Sequence, residues 1–365
     1  MSKKLMALSL TATLMGGTAF ADAPQVAVDI GPVHSLVARV MDGVGTPDLI
    51  IQPGASPHEY SLRPSEARAL QNADLVFWIG EDLTPWLTDT IATLAPDAAV
   101  TALLEADGTN ELPIRENALF EAHNHDHHGD EDDHEDDDHD DHGHDDHDEE
   151  AGHDDHDDHA EEHDDHGHKE AAHDDDHDGH DDHDDDHDDH EGHDHGAHDP
   201  HAWLSPQNAM VWLNVIAGQL SAADPANAGA YFANAAAGRA EMETLIDEVN
   251  ATLAPVRGGQ FIVFHDAYQY FEVDFDLPAS GAISLSDASD PSPARIAEIQ
   301  GRIKNEGVDC VLAEPQFNPG LVRTVLDGTQ AQTGTLDPLG SDLEPGSAFY
   351  PQLIRNLSAA LAGCM

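Results

Sequence analysis

This chain predicts an α/β architecture of two lobes, each a mostly parallel sheet flanked by helices. One long helix joins the lobes, and a disordered insertion interrupts the first. Three observations lead there. Short β-branched runs alternate with helix-period segments in both halves of the chain. An Ala-rich helical segment of about 28 residues, long enough to span about 42 Å, lies between the halves. A run built almost entirely of His, Asp and Glu, with almost no apolar residue to offset chain entropy, breaks the first half.

The chain begins MSKKLMALSLTATLMGGTAFADAP. Lys3 and Lys4 precede a short apolar run, Leu5 to Met15, and Ala19-Phe20-Ala21 forms an A-x-A cleavage site. Residues 1–21 therefore read as a secretory signal peptide whose apolar run is too short to span a bilayer. No Cys stands at the cleavage site, and no later apolar run is long enough to cross a membrane. The expected product is soluble, unlipidated and exported, most simply to the periplasm.

The first lobe is assigned to residues 22–120 and 200–223. QVAVDI (25–30) reads as a strand, PVHSLVARVMDG as a helix ending near Gly43, and Asp48 to Gln52 as a short strand. Ser65 can cap a helix running through Glu66 to Asn72. DLVFWIG (74–80) reads as a buried strand, and Thr84 to Leu94 as a helix with Pro85 at its start. After the insertion, Ser205 is the expected N-cap and Pro206 the first residue of a helix to about Leu220.

The linking helix is assigned to 224–254, beginning at Asp224-Pro225. The second lobe, 255–365, repeats the βα rhythm. FIVFH (261–265), VDCVLAEP (308–315) and Gln332 to Leu336 read as strands. Helices are expected from Pro293 to Glu306 with Ser292 as cap, near Leu321 to Gly328, and from Tyr350 to Ala362. Without the signal peptide and insertion roughly 265 residues remain, enough for two ordinary domains.

Of the 28 histidines, all but His34, His58, His201 and His265 lie between His123 and His198, interleaved with carboxylates as in HDDHDDH. From Glu121 to Asp199 there is one basic residue, Lys169, so the formal charge of −60 describes this stretch more than the fold. Such a block repels nucleic acid and anionic lipid and attracts cations. Imidazole and carboxylate both ligate first-row divalent metals. Residues 121–199 therefore read as a disordered metal-binding loop. Its sites are expected to be weak, multiple and pH-dependent, because a histidine must lose its proton to ligate. Asp and Glu alone would serve a mere solubility linker. Capture and hand-off, buffering, sensing, and binding of Cu²⁺ or Ni²⁺ all stay open for it.

A second, sharper device sits in the globular sequence. His58 lies in PGASPHEYSLRPSE, a Gly/Pro-rich loop between a strand and a helix, and His201 in DPHAWLSP, just before a capped helix. His265 ends the strand FIVFH. In open α/β sheets ligands bind beyond the carboxyl ends of the strands. Three histidines so placed point to one shared site in a cleft between the lobes, whereas a single loop histidine would more simply cap a loop. Three imidazoles suit Zn²⁺, which takes four ligands. Asp337 in GTLDPLG is the first choice for the fourth, with Glu59 or water as alternatives. Glu59 and Asp266 adjoin ligand histidines, and neighbours on an extended segment point apart, so either can instead support the site from outside. Glu314, at a strand end, can hydrogen-bond a ligand imidazole and fix its tautomer. His34, in the first turn of a helix, reads as a packing or hydrogen-bonding residue.

The two cysteines, Cys310 and Cys364, lack C-x-x-C spacing, which argues against a soft metal site. In an oxidising compartment they are expected to form a disulfide pinning the C-terminal helix to a core strand, worth about 2–4 kcal/mol.

PGASPHEYSLRPSEARALQNADLVFWIG, DPHAWLSP, FHDAYQYF, AEPQF and GTLDPLG closely resemble the periplasmic zinc-binding proteins of ABC importers, the ZnuA type, within the metal-specific cluster of solute-binding proteins. The resemblance covers nearly all of the mature chain, including the acidic His-rich insertion and both cysteines. It implies two α/β lobes, a single long connecting helix, little domain closure, and metal held between the lobes by His58, His201 and His265. Manganese-binding relatives carry a carboxylate at the position of His265, so the resemblance favours zinc. Some zinc members place a Glu just before the first ligand histidine; here that residue is Pro57, leaving Asp337 or water. The implied disulfide falls on Cys310 and Cys364. The implied partners are an inner-membrane zinc permease with its ATPase, periplasmic zinc chaperones are further candidates, and a monomer is expected.

The function expected on these grounds is high-affinity capture of one Zn²⁺ in the cleft, with additional weak zinc on the loop, and delivery to the permease. No P-loop or membrane span is present, so both of those activities belong to partners. Two alternatives are weighed against it. A stand-alone periplasmic zinc buffer or adhesin would leave zinc-limited growth unchanged when deleted. A three-His zinc hydrolase would need a base, and only Glu59 is placed for that; no H-E-x-x-H occurs.

Overall fold

The computed structural model describes residues 23–115, 120, 198–284 and 291–365. The signal peptide and nearly all of the histidine-rich insertion lie outside the described residues. Among the described residues the strands form two four-stranded sheets, both wholly parallel. The first has the order β2-β1-β3-β4, from β1 (Val26–Val28), β2 (Asp48–Leu49), β3 (Leu75–Trp78) and β4 (Ala99–Ala102). The second has the order β6-β5-β7-β8, from β5 (Phe261–His265), β6 (Ala282–Ser284), β7 (Cys310–Ala313) and β8 (Gln332–Thr335). The two-lobe α/β class expected from the sequence is the observed one.

β1, β3 and β5 are buried throughout, which is why they read as unbroken apolar runs rather than alternating ones. Two strands carry too little local signal to be read from sequence. β4 is an edge strand, exposed at Ala99 and Val100, and AVTA carries little β signal. β6 is three residues long at an edge of the second sheet. The seven-residue helix α6 (Gln269–Phe275) is likewise unexpected, being too short for helical periodicity to register.

The remaining helices stand close to where the pattern places them. In the first lobe they are α1 (Gly31–Val40), α2 (Pro64–Asn72), α3 (Pro85–Leu94) and α4 (Pro206–Ala223). Ser205 caps α4 as expected, its hydroxyl accepting from the Asn208 backbone at 3.0 Å. Ser65 does not cap α2: Pro64 is already the first helical residue, Arg63 is the cap, and Glu66 reaches back to accept from the Arg63 backbone N–H at 2.7 Å. Proline at a first helical position loses no hydrogen bond, because that N–H has no partner within the helix.

The long helix α5 spans Ala228–Leu253, 26 residues or about 39 Å. It starts four residues later than expected. Asp224 forms a turn instead, its carboxylate accepting from the Asn227 amide at 2.6 Å and the Tyr231 hydroxyl at 3.0 Å. Gly238 has a packing reason within α5. A Cβ there would meet Leu213 of α4 at 3.0 Å, so the glycine lets the two helices approach closely.

In the second lobe the helices are α7 (Pro293–Glu306), α8 (Pro319–Leu326) and α9 (Phe349–Cys364). α7 and α8 cover β5, β6 and β7 through a separate small core of Ile262, Phe264, Ile283, Ile299, Val311 and Val325. α9 runs back to the first lobe: the Tyr350 backbone N–H donates to Ser35 of α1 at 3.0 Å, and the Tyr350 hydroxyl to the Trp203 carbonyl at 2.8 Å. Cys310 of β7 and Cys364 of α9 form the expected disulfide, with Cα atoms 5.7 Å apart and a separation of 54 positions in sequence. Replacing both cysteines with serine is expected to cost about 2–4 kcal/mol. Urea unfolding of the oxidised parent and the double variant measures this, and equal midpoints would remove the bond from any account of stability.

Candidate metal centre

Each of the three histidines is delivered by a different piece of local chemistry. His58 lies in the loop after β2, where the Pro57 carbonyl accepts from the Trp86 indole of α3 at 2.8 Å and the His58 backbone N–H donates to Ser56 Oγ at 3.3 Å. It is half-buried, and Glu59 beside it is exposed. His201 stands just before a short 3-10 turn, Ala202–Leu204, that leads into α4. Its ring is buried, and Asp199 Oδ1 accepts from its backbone N–H at 3.0 Å and lies 2.7 Å from its Nδ1. His265 is the last residue of β5 and is also buried.

The sheet register explains the partner of His265. β5 and β7 pair in parallel with Phe261 opposite Cys310 and Ile262 opposite Val311. The same offset carried to the end of β5 puts Glu314 beside His265. Glu314 Oε1 lies 3.2 Å from the His265 backbone N–H and 2.7 Å from its Nδ1. Both buried histidines thus present Nδ1 to a carboxylate. An ionised carboxylate only accepts, so with Asp199 and Glu314 ionised Nδ1 carries the proton and Nε2 keeps its lone pair.

The structure brings the three rings together. The centroids of His58 and His201 are 5.8 Å apart and those of His201 and His265 5.3 Å. Zn–N bonds of about 2.0–2.1 Å at tetrahedral angles set ligand ring centroids roughly 5 Å apart, so these separations suit one shared ion. The rings face a space of about 10 Å³ that is also lined by Pro57, Trp203, Gln316, Pro338 and Leu339. That is room for one ion or one water, not an organic molecule. Among the described residues no three His, Cys, Asp or Glu side chains already stand in closed coordinating geometry. An incoming ion would therefore have to draw the imidazoles inward.

Of the other predicted residues, Asp337 is two positions beyond β8 and half-buried. Its Oδ1 accepts from the backbone N–H groups of Leu339 (3.1 Å) and Gly340 (2.9 Å), and its Oδ2 from the Ser341 N–H and hydroxyl, both at 2.6 Å. It thereby shapes the turn that presents Pro338 and Leu339 to the rings. Asp266 is turned to Arg115 rather than to an imidazole. His34 Nε2 lies 3.1 Å from the Pro47 carbonyl, holding α1 to the segment before β2.

Several residues around the rings are not expected from sequence. Asp199 falls at the end of the acidic run and counts there with the insertion, although it is buried and fixes His201. Burial pushes its carboxyl up to about 7, against the His201 backbone N–H and the Arg115 charge, which lower it. The available signal is its place two residues before a candidate ligand, masked by the aspartates that precede it. Trp203 walls the space, its ring 5.2 Å from His201 and its indole donating to the Pro338 carbonyl at 2.9 Å.

Residues 26–364 match the family model "Zinc-uptake complex component A periplasmic", ZnuA. This chain belongs to the ZnuA family. It is 44% identical over 360 residues to the high-affinity zinc uptake system protein ZnuA of Brucella abortus (strain 2308), covering 99% of this chain and 97% of the relative. It is 42% identical over 346 residues to the ZnuA of Paracoccus denitrificans (strain Pd 1222), covering 94% and 93%. A ZnuA crystal structure superposes with a TM-score of 0.65 at 19% identity, covering 94% of this chain and 99% of that one. A zinc-bound ZnuA deletion mutant superposes with 0.64, also at 19% identity, and these likenesses support the fold.

Proposed function

We propose that this chain captures Zn²⁺ between its lobes through His58, His201 and His265 and hands it to an ABC-type permease. As a member of the ZnuA family it is the zinc-binding component of an uptake importer. The observation that carries the residue assignment is the pair of carboxylate–histidine contacts beneath two rings that meet a third. Asp199 and Glu314 hold His201 and His265 in the tautomer that offers Nε2 to a metal. Carboxylate support of this kind is what metal-ligating histidines ordinarily have.

Asp337 is the proposed fourth ligand. Taking up the metal would cost it one of the four hydrogen bonds it accepts from its own turn, while a water would leave all four in place. Zinc is the proposed cargo because imidazole suits it and because the carboxylates of Asp199, Glu314 and Asp266 are committed to histidine or arginine. The small space between the rings supports an ion carrier over a hydrolase, which would have to admit a substrate. The periplasm, a monomeric state, the inner-membrane permease with its ATPase, and hand-over from zinc chaperones belong to the same reading. So do the limits of the lobes, 22–120 with 200–223 and 255–365 about the 224–254 link.

The histidine-rich stretch is proposed as an accessory that raises zinc concentration near the cleft through weak tethered sites. Chelator competition on the mature chain and on one lacking residues 121–197 tests this division. That deletion spares His198, which bridges to Pro113, and Asp199, which holds His201. One tight equivalent is expected to survive unchanged while the weaker equivalents disappear. Loss of the tight equivalent would move the transport site into the stretch and end the cleft reading.

A further inference from the structure

The chain leaves the described fold for the insertion, and returns from it, at a point tied to both buried imidazoles. Pro113 and His198 pair as an isolated antiparallel bridge, and the Asp199 backbone N–H donates to the Leu112 carbonyl at 2.8 Å. The Tyr270 hydroxyl accepts from the Leu112 N–H at 3.0 Å and donates to the Asp199 carbonyl at 2.9 Å. Two residues beyond this bridge stands Arg115. Its Nε and Nη2 donate to the Asp266 carboxylate, and its Nη1 and Nη2 donate to Glu272 Oε2 and Oε1 at 2.9 Å each. The Phe120 ring centroid lies 3.6 Å from the guanidinium carbon.

The placement of these carboxylates matters. Asp266 directly follows His265, and Asp199 grips His201. The side chains of Asp266 and Glu272 are 7% and 5% exposed, and Arg115 is 18% exposed. Two carboxylates this deep in one place repel each other and lack solvation. A guanidinium fork that binds both is the group that lets them stay side by side. Its grip joins the stem of the insertion to the segment that carries His265, while the Leu112–Asp199–Tyr270 contacts join the same stem to the segment that carries His201.

We propose that Arg115 is a positioning residue for metal capture, one that sets the spacing of His201 and His265 by clamping Asp266 and Glu272 against the stem of the insertion. The proposal rests on the reading of His58, His201 and His265 as ligands. It gives the stem a role separate from the loop's histidines: the registry of the site depends on where Arg115 is held.

The test uses the full mature chain with Arg115→Lys and Arg115→Gln. Lysine keeps the charge but not the planar fork, and glutamine keeps neither. Zinc affinity is measured by chelator competition, and the geometry of the site by the visible absorption of the Co²⁺-loaded protein. Zinc affinity is expected to fall by up to about tenfold, the low end of what losing a direct partner of a metal ligand costs, with Arg115→Gln the weaker binder and the Co²⁺ bands shifted in both. Arg355→Gln, at an exposed pair with Glu248, serves as control and should leave both readouts alone.

If the Arg115 variants lower the unfolding midpoint while zinc affinity and the Co²⁺ spectrum match the parent, Arg115 is a structural clamp only and the proposal is overturned. Should they fail to fold, Glu272→Gln, which removes one side of the clamp, replaces them with the same expected and overturning results. His265→Ala separates this inference from the ligand assignment. A parental affinity in His265→Ala overturns both, whereas its collapse beside unaffected Arg115 variants overturns the positioning role alone.

Discussion

Replacing His265 with alanine is expected to weaken zinc binding at the cleft by at least about a hundredfold. Loss of an outer partner of a metal ligand ordinarily costs 10–100-fold, and loss of the ligand itself costs more. A hundredfold corresponds to about 2.7 kcal/mol of binding free energy. The alanine also leaves Glu314 buried with no imidazole N–H to meet its Oε1, which adds strain to the empty site. The comparison is His34→Ala, since His34 contacts Pro47 and does not line the space between the three rings. Competition with a calibrated chelator at constant pH should show the first variant collapsing and the second within about twofold of the parent, the scatter expected for a residue without a role in the site. Parental affinity in His265→Ala would sink the ligand assignment.

Trp212→Ala should produce the largest loss of stability, about 3–5 kcal/mol. Trp212 sits fully buried in α4, and its indole donates to Thr109 Oγ1 at 3.0 Å. The same helix grips the preceding segment a second time, where Asn208 accepts from the Asn110 N–H at 2.8 Å and donates to its carbonyl at 3.1 Å. The substitution therefore opens a large cavity and loosens the run from Thr109 to Leu112 that leads to the insertion stem. Against a typical total of about 5–15 kcal/mol, such a loss is a large fraction of the whole. Denaturant unfolding in the presence of excess chelator isolates the effect from stabilisation by bound zinc. A shift below about 1 kcal/mol would show that the surrounding core collapses to fill the space.

Elements with a strong local signal are legible in the residues alone. β5, α7 and the Ser205 cap of α4 lie where periodicity and capping chemistry place them. The elements that sequence does not reveal lack such a signal. β4 and β6 are short edge strands held by their neighbours, and α6 is barely two turns long. The late start of α5 reflects a competition between two local choices: Asp224-Pro225 looks like a helix start, but the Asp224 carboxylate gains more from Asn227 and Tyr231 as a turn.

The same division runs through the site. The residues alone were enough for the parallel α/β class and for three histidines at loop and strand ends, because each leaves a mark within a few residues, and a chain with only two cysteines leaves one possible disulfide within it. Folding in three dimensions is what brings the rings to 5.3 and 5.8 Å, sets Glu314 under His265 through the β5–β7 register, and binds Asp337 into its own turn. It alone joined Arg115 to Asp266 and Glu272, some 150 positions away. Pairings over such distances are set by sheet register and helix packing, which sum contributions from the whole chain, so no short stretch of residues can encode them.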